Sequence, residues 1–382
     1  MLILQYAFFL LLTFLIFMFL VRRNSLDFFI TSFLLNLYHF FFSLAFYFFA
    51  KDKPNDSMNY YTWSINSLDD FKFSSGTGFL VHFVNFLRSF LVDYQLIFLF
   101  FSMISSLVIL FFFKIIFDFK EKGHLSNKGF NFLTFLLFIP GLHFWTVSIG
   151  KDCLVLLFIT IFLYAYYKKL FKLLIFSLLF LAFVRIHVFA ILFIAFMLNE
   201  FFYGNYKFKN ISMSVYRFFI ILLAIPAFFL IYNVLFNIVQ KYSADGFSDF
   251  GDFVGNRSEV YSSEGSGLLL SSQPYIFKVL AFILGGLPWL SLDVLSIFSM
   301  LEGLIIISVM AYLFFNLLIK KHEKNSKQIF VLLFIVIFSL LMPIISANLG
   351  IMVRMRVMLY MPIYFVLLVF LIDSRKKVKI AP

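Results

Sequence analysis

Charge is what this sequence has least of. Only 13% of its 382 residues are Asp, Glu, Lys or Arg, and 63% are apolar, against about 25% charged and 45–50% apolar in soluble domains. That excludes an ordinary soluble enzyme, and it excludes a disordered chain, which is polar and charged. Acidic residues are scarcer than basic ones, 19 against 31, leaving a net charge of +12. The excess does not point to nucleic acid. Nucleic-acid-binding proteins cluster their basic residues on polar faces, whereas these punctuate apolar runs. The single cysteine, Cys153, excludes an internal disulfide and a cysteine metal cluster. No HExxH, P-loop or dinucleotide GxGxxG stands out. The six histidines, His39, His82, His124, His143, His187 and His322, are scattered, so neither a metal nor a cofactor is expected. The 63 Phe suit lipid and an AT-rich coding sequence better than a dedicated aromatic site.

What is present is a series of apolar segments, at about 2–21, 28–50, 94–117, 131–148, 153–167, 170–184, 188–203, 216–237, 297–318, 328–346 and 357–373. They predict an all-α polytopic transmembrane bundle of about 11 membrane segments, forming one transmembrane domain over 1–382. The first is too long, and lacks the basic lead, for a signal peptide. Segments 153–167, 170–184 and 188–203 fall short of the roughly 20 residues of a full span, so tilted or partial crossings are expected there.

Loop charges orient the segments. One set of loops carries 20 of the 31 basic residues and 6 of the 19 acidic ones, from Arg22 and Arg23 to Lys377 and Lys379. That side is cytoplasmic, which places the N-terminus outside and the C-terminus in the cytoplasm. The outer side carries two long polar loops, about 51–93 and 238–296. Within them, 79–92 and 274–296 read as interfacial or re-entrant helices. Any chemistry then occurs at the outer face or within the membrane.

Ionisable residues at membrane depth are costly and mark function. They collect in three outer turns. One is Pro140-Gly141-Leu142-His143-Phe144-Trp145 with Gly150-Lys151-Asp152. Another is Arg185-Ile186-His187. The third is Asn348-Leu349-Gly350 with Arg354-Met355-Arg356. Fifteen helical residues rise about 22 Å, less than the roughly 30 Å hydrocarbon core. Arg185 and His187 are therefore expected in a recess below the outer surface, with Lys151 and Asp152 at similar depth. Together with Arg257 of the second long loop, Arg185, Arg354, Arg356 and Lys151 would form a positive recess. Guanidinium groups bind phosphate in a bidentate fork, which suits a lipid-linked pyrophosphate. Glycosyl transfer also needs a base. The candidates are His187, Asp152, Asp69 and Asp70.

The order of these islands resembles bacterial polytopic proteins of polysaccharide gene clusters. The islands are Pro140…His143-Phe144-Trp145…Gly150-Lys151-Asp152, Arg185-Ile186-His187, Arg257-Ser258 with Gly265-Ser266, Leu287-Pro288-Trp289…Leu301-Glu302-Gly303, and Asn348-Leu349-Gly350…Arg354-Met355-Arg356. They are similar to O-antigen and capsule polymerases of the Wzy type and to related exopolysaccharide polymerases, over about 140–365. Ile186 departs from the Pro found between Arg and His in many of them. The resemblance implies a multi-pass protein of the bacterial inner membrane that needs no cofactor. Its substrate would be an undecaprenyl-pyrophosphate-linked glycan, its surroundings membrane lipid, and its partner a chain-length regulator. Two other readings are a GT-C-type lipid-sugar-dependent glycosyltransferase with Asp69 or Asp70 as base, and a transporter. A transporter would be expected to show an internal repeat and mid-membrane polar residues.

Overall fold

The computed structural model describes residues 2–22, 25–51, 55–204, 212–222, 224–225, 229, 273–287, 294–319, 325–345 and 349–380. Helix accounts for 87% of the structure, and no strand occurs among the described residues. Lipid offers no hydrogen bonds, so each span must satisfy its own backbone, as a helix does. Among the described residues, seven stretches are long and apolar enough to cross a membrane: Leu2–Val21, Leu26–Lys51, Tyr94–Glu121, Ile186–Tyr203, Ser296–Leu317, Ser326–Pro343 and Leu349–Arg375. By helix length and composition, this is a helical membrane protein.

The chain divides into two compact units. The first comprises Met1–Arg185 and Leu367–Pro382, the second Ile186–Val366. In the first unit the helices are α1 (Leu2–Val21), α2 (Leu26–Lys51), α3 (Asp56–Asn66), α4 (Thr77–Arg88), α5 (Tyr94–Glu121), α6 (Asn127–Leu137), α7 (Pro140–Phe144), α8 (Lys151–Lys168) and α9 (Phe171–Val184). α5 is its centre and packs against α1, α2, α6 and α8.

Three local features shape this unit. First, the apolar segment 131–148 is not one helix. Pro140 has no N–H and keeps the residue before it out of the α region. Ile139 is accordingly extended at φ −62° and ψ 123°, and Pro140 opens the short α7. Second, the loop expected over 51–93 is itself helical. Asn55 caps α3 by accepting a hydrogen bond from the Met58 amide. α4 buries Leu80, Val81, Val84 and Leu87 and exposes Phe86, the one-sided pattern of an amphipathic helix. Third, α8 and α9 form an antiparallel hairpin that turns at Lys169, which adopts the left-handed conformation at φ +59°. At 14 residues, α9 rises only about 21 Å.

The second unit contains α10 (Ile186–Tyr203), α11 (Met213–Leu222), α12 (Tyr275–Leu284), α13 (Val294–Phe314), α14 (Ser326–Ile345) and α15 (Leu349–Arg356). α16 (Tyr360–Ile380) begins there and continues into the first unit. α10 packs on α14, and α12 packs on α13, α14 and α15. The α12–α13 contact depends on Gly303. A Cβ there would lie 1.9 Å from the Leu284 carbonyl oxygen, so only glycine lets the two backbones approach this closely. Of the outer loop expected over 238–296, only 273–287 and 294–296 are described.

Candidate functional site: two buried ion pairs

The α8–α9 hairpin brings its two open ends together. Asp152, in the first turn of α8, meets Arg185, the residue that ends α9. Arg185 Nη2 lies 3.0 Å from Asp152 Oδ1, and the side chains are 10% and 3% exposed. Removing one partner of such a pair strands a buried charge. Arg185 is also the single non-helical residue between α9 and α10, extended at φ −151°, ψ 95°. Lys151 points the other way, towards the α3–α4 segment. Its Nζ donates to Thr77 Oγ1 at 3.0 Å and lies 5.8 Å from the Tyr60 ring centroid. The Gly76 amide, just before α4, donates to the Phe183 carbonyl at 2.7 Å, which ties α4 to the Arg185 end of α9. One face therefore joins a lysine, a carboxylate–guanidinium pair and the start of an amphipathic helix.

A second polar cluster lies in the same unit, between α2 and α5. On α2, Ser32, Asn36, His39 and Ser43 are fully buried and share one face by their spacing. Asn36 and His39 meet Ser102, Ser105 and Ser106 of α5, also buried. Ser106 Oγ donates to Asn36 Oδ1 at 2.8 Å, and Asn36 donates to the Leu10 carbonyl at 2.9 Å. His39 Nδ1 lies 3.0 Å from His143 Nδ1.

In the second unit, Arg356 is almost fully enclosed. Nη1 donates to the Ser299 carbonyl at 3.1 Å and the Ile283 carbonyl at 3.3 Å, and Nη2 donates to Ser299 Oγ at 3.0 Å. Nη2 also lies 3.5 Å from Glu302 Oε2, which accepts a further hydrogen bond from the Tyr360 hydroxyl at 3.1 Å. Gly285 makes room for this guanidinium. A Cβ there would lie 2.2 Å from Nη1, and its φ of +79° favours glycine in any case.

The structure thus treats the expected site residues unequally. It joins Asp152 to Arg185 and leaves Lys151 beside them. It engages Arg356 with Glu302 and Ser299, so that guanidinium is committed within the protein. Arg354 is half-buried, two residues earlier on α15, and His187 is half-buried in the first turn of α10. Both belong to the second unit, whereas Asp152 and Arg185 belong to the first. Asp70 is exposed on the 3-10 turn between α3 and α4. Asp69 shares that turn, with its side chain outside the described residues. Arg257 also lies outside the described residues. Among the described residues, no three His, Cys, Asp or Glu side chains cluster as metal ligands.

His39 and Glu302 are the residues whose part sequence reasoning did not assign. The signal for His39 was available: four polar residues at intervals of four, three and four in an otherwise apolar helix mark one helix face. No family model matches this chain, no curated protein matches it, and no solved structure matches it.

Proposed function

We propose that this protein polymerises lipid-linked oligosaccharide repeat units, carried on undecaprenyl pyrophosphate, at the outer face of the bacterial cytoplasmic membrane. The observation that carries the reading is the pairing of the islands on which the resemblance rests. Lys151-Asp152 meets Arg185, and Leu301-Glu302-Gly303 meets Arg356. Islands far apart in sequence supply the two partners of each buried ion pair. Charge at this cost inside an apolar protein points to function.

In this reading the acceptor sugar hydroxyl attacks the anomeric carbon of the growing glycan. The bond from that carbon to the pyrophosphate oxygen breaks, and the hydroxyl proton passes to a base. Undecaprenyl pyrophosphate leaves with the bonding electrons. Arg185 and Lys151 stabilise the charge on the departing pyrophosphate, as cationic clamps do on phosphoryl groups, and the resemblance adds Arg257 and Arg354 as candidates. Arg356 serves indirectly, by holding α15 against α12 and α13. Because Asp152 is engaged by Arg185, it orients that guanidinium, and His187 is the preferred base. Asp69 and Asp70 are the remaining base candidates.

The test is the carrier-linked glycan of a strain lacking this gene. Single complete repeat units on the carrier are expected. Polymer of normal length would overturn the reading, and a repeat unit short of one sugar would assign the chain to single-sugar transfer instead.

A further inference from the structure

We propose that His39 is a positioning residue that fixes the Lys151–Asp152 end of α8 by holding His143. α7 has five residues, far below the length at which an isolated helix is stable. It keeps its place by packing on α2. The Tyr38 and His143 rings lie 4.9 Å apart, and those of Phe46 and Phe144 lie 5.1 Å apart. The polar link in this contact is the His39–His143 pair, with both rings fully buried. From His143 the chain runs through the buried residues Thr146 to Gly150 straight into Lys151 and Asp152.

The other flank is held by the same stretch of α5. Cys153 Sγ donates to the Phe101 carbonyl at 3.2 Å, and one turn further Ser105 Oγ lies 2.9 Å from His39 Nε2. α5 therefore anchors Asp152 from both sides, directly at Cys153 and through His39 at His143.

The direction of the histidine link follows the tautomer of each ring. His143 Nε2 lies 2.6 Å from the Leu137 carbonyl oxygen, an acceptor only, so Nε2 carries the proton. In a neutral ring His143 Nδ1 is then the acceptor. His39 Nε2 lies 3.1 Å from the Ser102 carbonyl oxygen as well as 2.9 Å from Ser105 Oγ, and Ser105 Oγ also reaches the Phe101 and Ser102 carbonyls. In the tautomer in which Ser105 donates to His39 Nε2, His39 Nδ1 carries the proton and donates it to His143. In that tautomer neutral rings make the link without burying a charge.

The two nitrogens of His39 can be separated by substitution. Asparagine puts its amide near the Nδ1 position and keeps a donor for His143. Glutamine reaches the Nε2 position, keeping Ser105 but leaving His143 Nδ1 without its donor. Cys153 is the sole cysteine of the chain and is buried, so it reports on the α8 end without further engineering. The experiment labels the full-length protein in native membranes with membrane-permeant N-ethylmaleimide. Wild type and His39→Asn should stay protected. His39→Gln and His39→Leu should label about tenfold faster, the change in local opening expected for about 1.4 kcal/mol. Protection in the Gln and Leu variants equal to wild type would overturn the anchor. So would an Asn variant as reactive as Leu, or a 15N spectrum of the wild-type chain showing His143 protonated at Nδ1.

The anchor stands on geometry, whereas its service to a substrate site rests on the proposed function. Glycan chain length in the same strains separates the two. Shortened chains in Gln and Leu but not in Asn are expected. The labelling pattern without any change in chain length would keep the anchor and overturn the positioning role.

Discussion

Asp152 Oδ1 and Arg185 Nη2 lie 3.0 Å apart although the whole of α8 and α9 separates them in the chain. The hairpin turn at Lys169 and Leu170 lies at the far end, so this pair closes the open end. A carboxylate at the start of α8 also sits where the helix dipole favours negative charge.

This closure should appear as energetic coupling. Asp152→Ala and Arg185→Ala should each destabilise the first unit by about 3–5 kcal/mol, because each strands a buried charge. The double variant should cost clearly less than the sum of the two. Denaturation of the detergent-solubilised protein measures the cycle, and additive losses would show that the pair is not coupled.

Close backbone approach in the second unit gives a sharper steric expectation. Gly303→Ala places a Cβ 1.9 Å from the Leu284 carbonyl oxygen, a backbone atom that cannot swing away. Overpacking of this kind costs about 1–3 kcal/mol or more. Gly285→Ala adds left-handed strain and displaces the Arg356 guanidinium. Both variants should lower the midpoint of thermal unfolding, whereas Gly350→Ala, at an exposed position, should change it little. Equal midpoints for all three would remove the close-packing account of α12 and α13.

Membrane orientation is open to direct measurement. Reporter fusions after Lys172 and Tyr206 should report cytoplasm, and one near Asp70 should report the outside. An outside signal at Lys172 would invert the α8–α9 hairpin, and the Asp152–Arg185 pair would then face the wrong compartment for a flipped substrate.

The proposed phosphate contacts predict a difference between lysine and alanine. Replacing Arg185, Arg257 or Arg354 by Ala should cost about 2–5 kcal/mol of interaction with a buried anion, roughly 30- to several thousand-fold in rate. Lysine should rescue only partly, since it keeps the charge and loses the fork. Glycan chain length, in strains with normal levels of inserted protein, is the readout. Full activity in all three Lys variants would exclude a guanidinium clamp.

The base assignment has its own comparison. His187→Ala should shorten the glycan more than Asp70→Ala, whose carboxylate is exposed between α3 and α4. Wild-type chain lengths for His187→Ala, with short chains for Asp70→Ala, would move the base to the first outer loop.

Composition alone determined the class of this protein. Apolar runs of membrane-spanning length have one stable backbone solution in lipid, so helices and most of their limits could be read from hydropathy and from Pro140. Loop charges supplied an expected orientation, and the costly ionisable residues between the apolar runs marked where to look for a site. Which of those residues meet was decided only by the tertiary structure. Asp152 with Arg185, Glu302 with Arg356 and His39 with His143 are contacts between helices. A side chain's partner across a helix interface depends on crossing geometry and close approach at positions such as Gly303, not on local spacing. For the same reason Arg356 read as a phosphate ligand beside Arg354, while its guanidinium is held within the fold. His39 read as one of several scattered histidines until α5 and α7 closed around it.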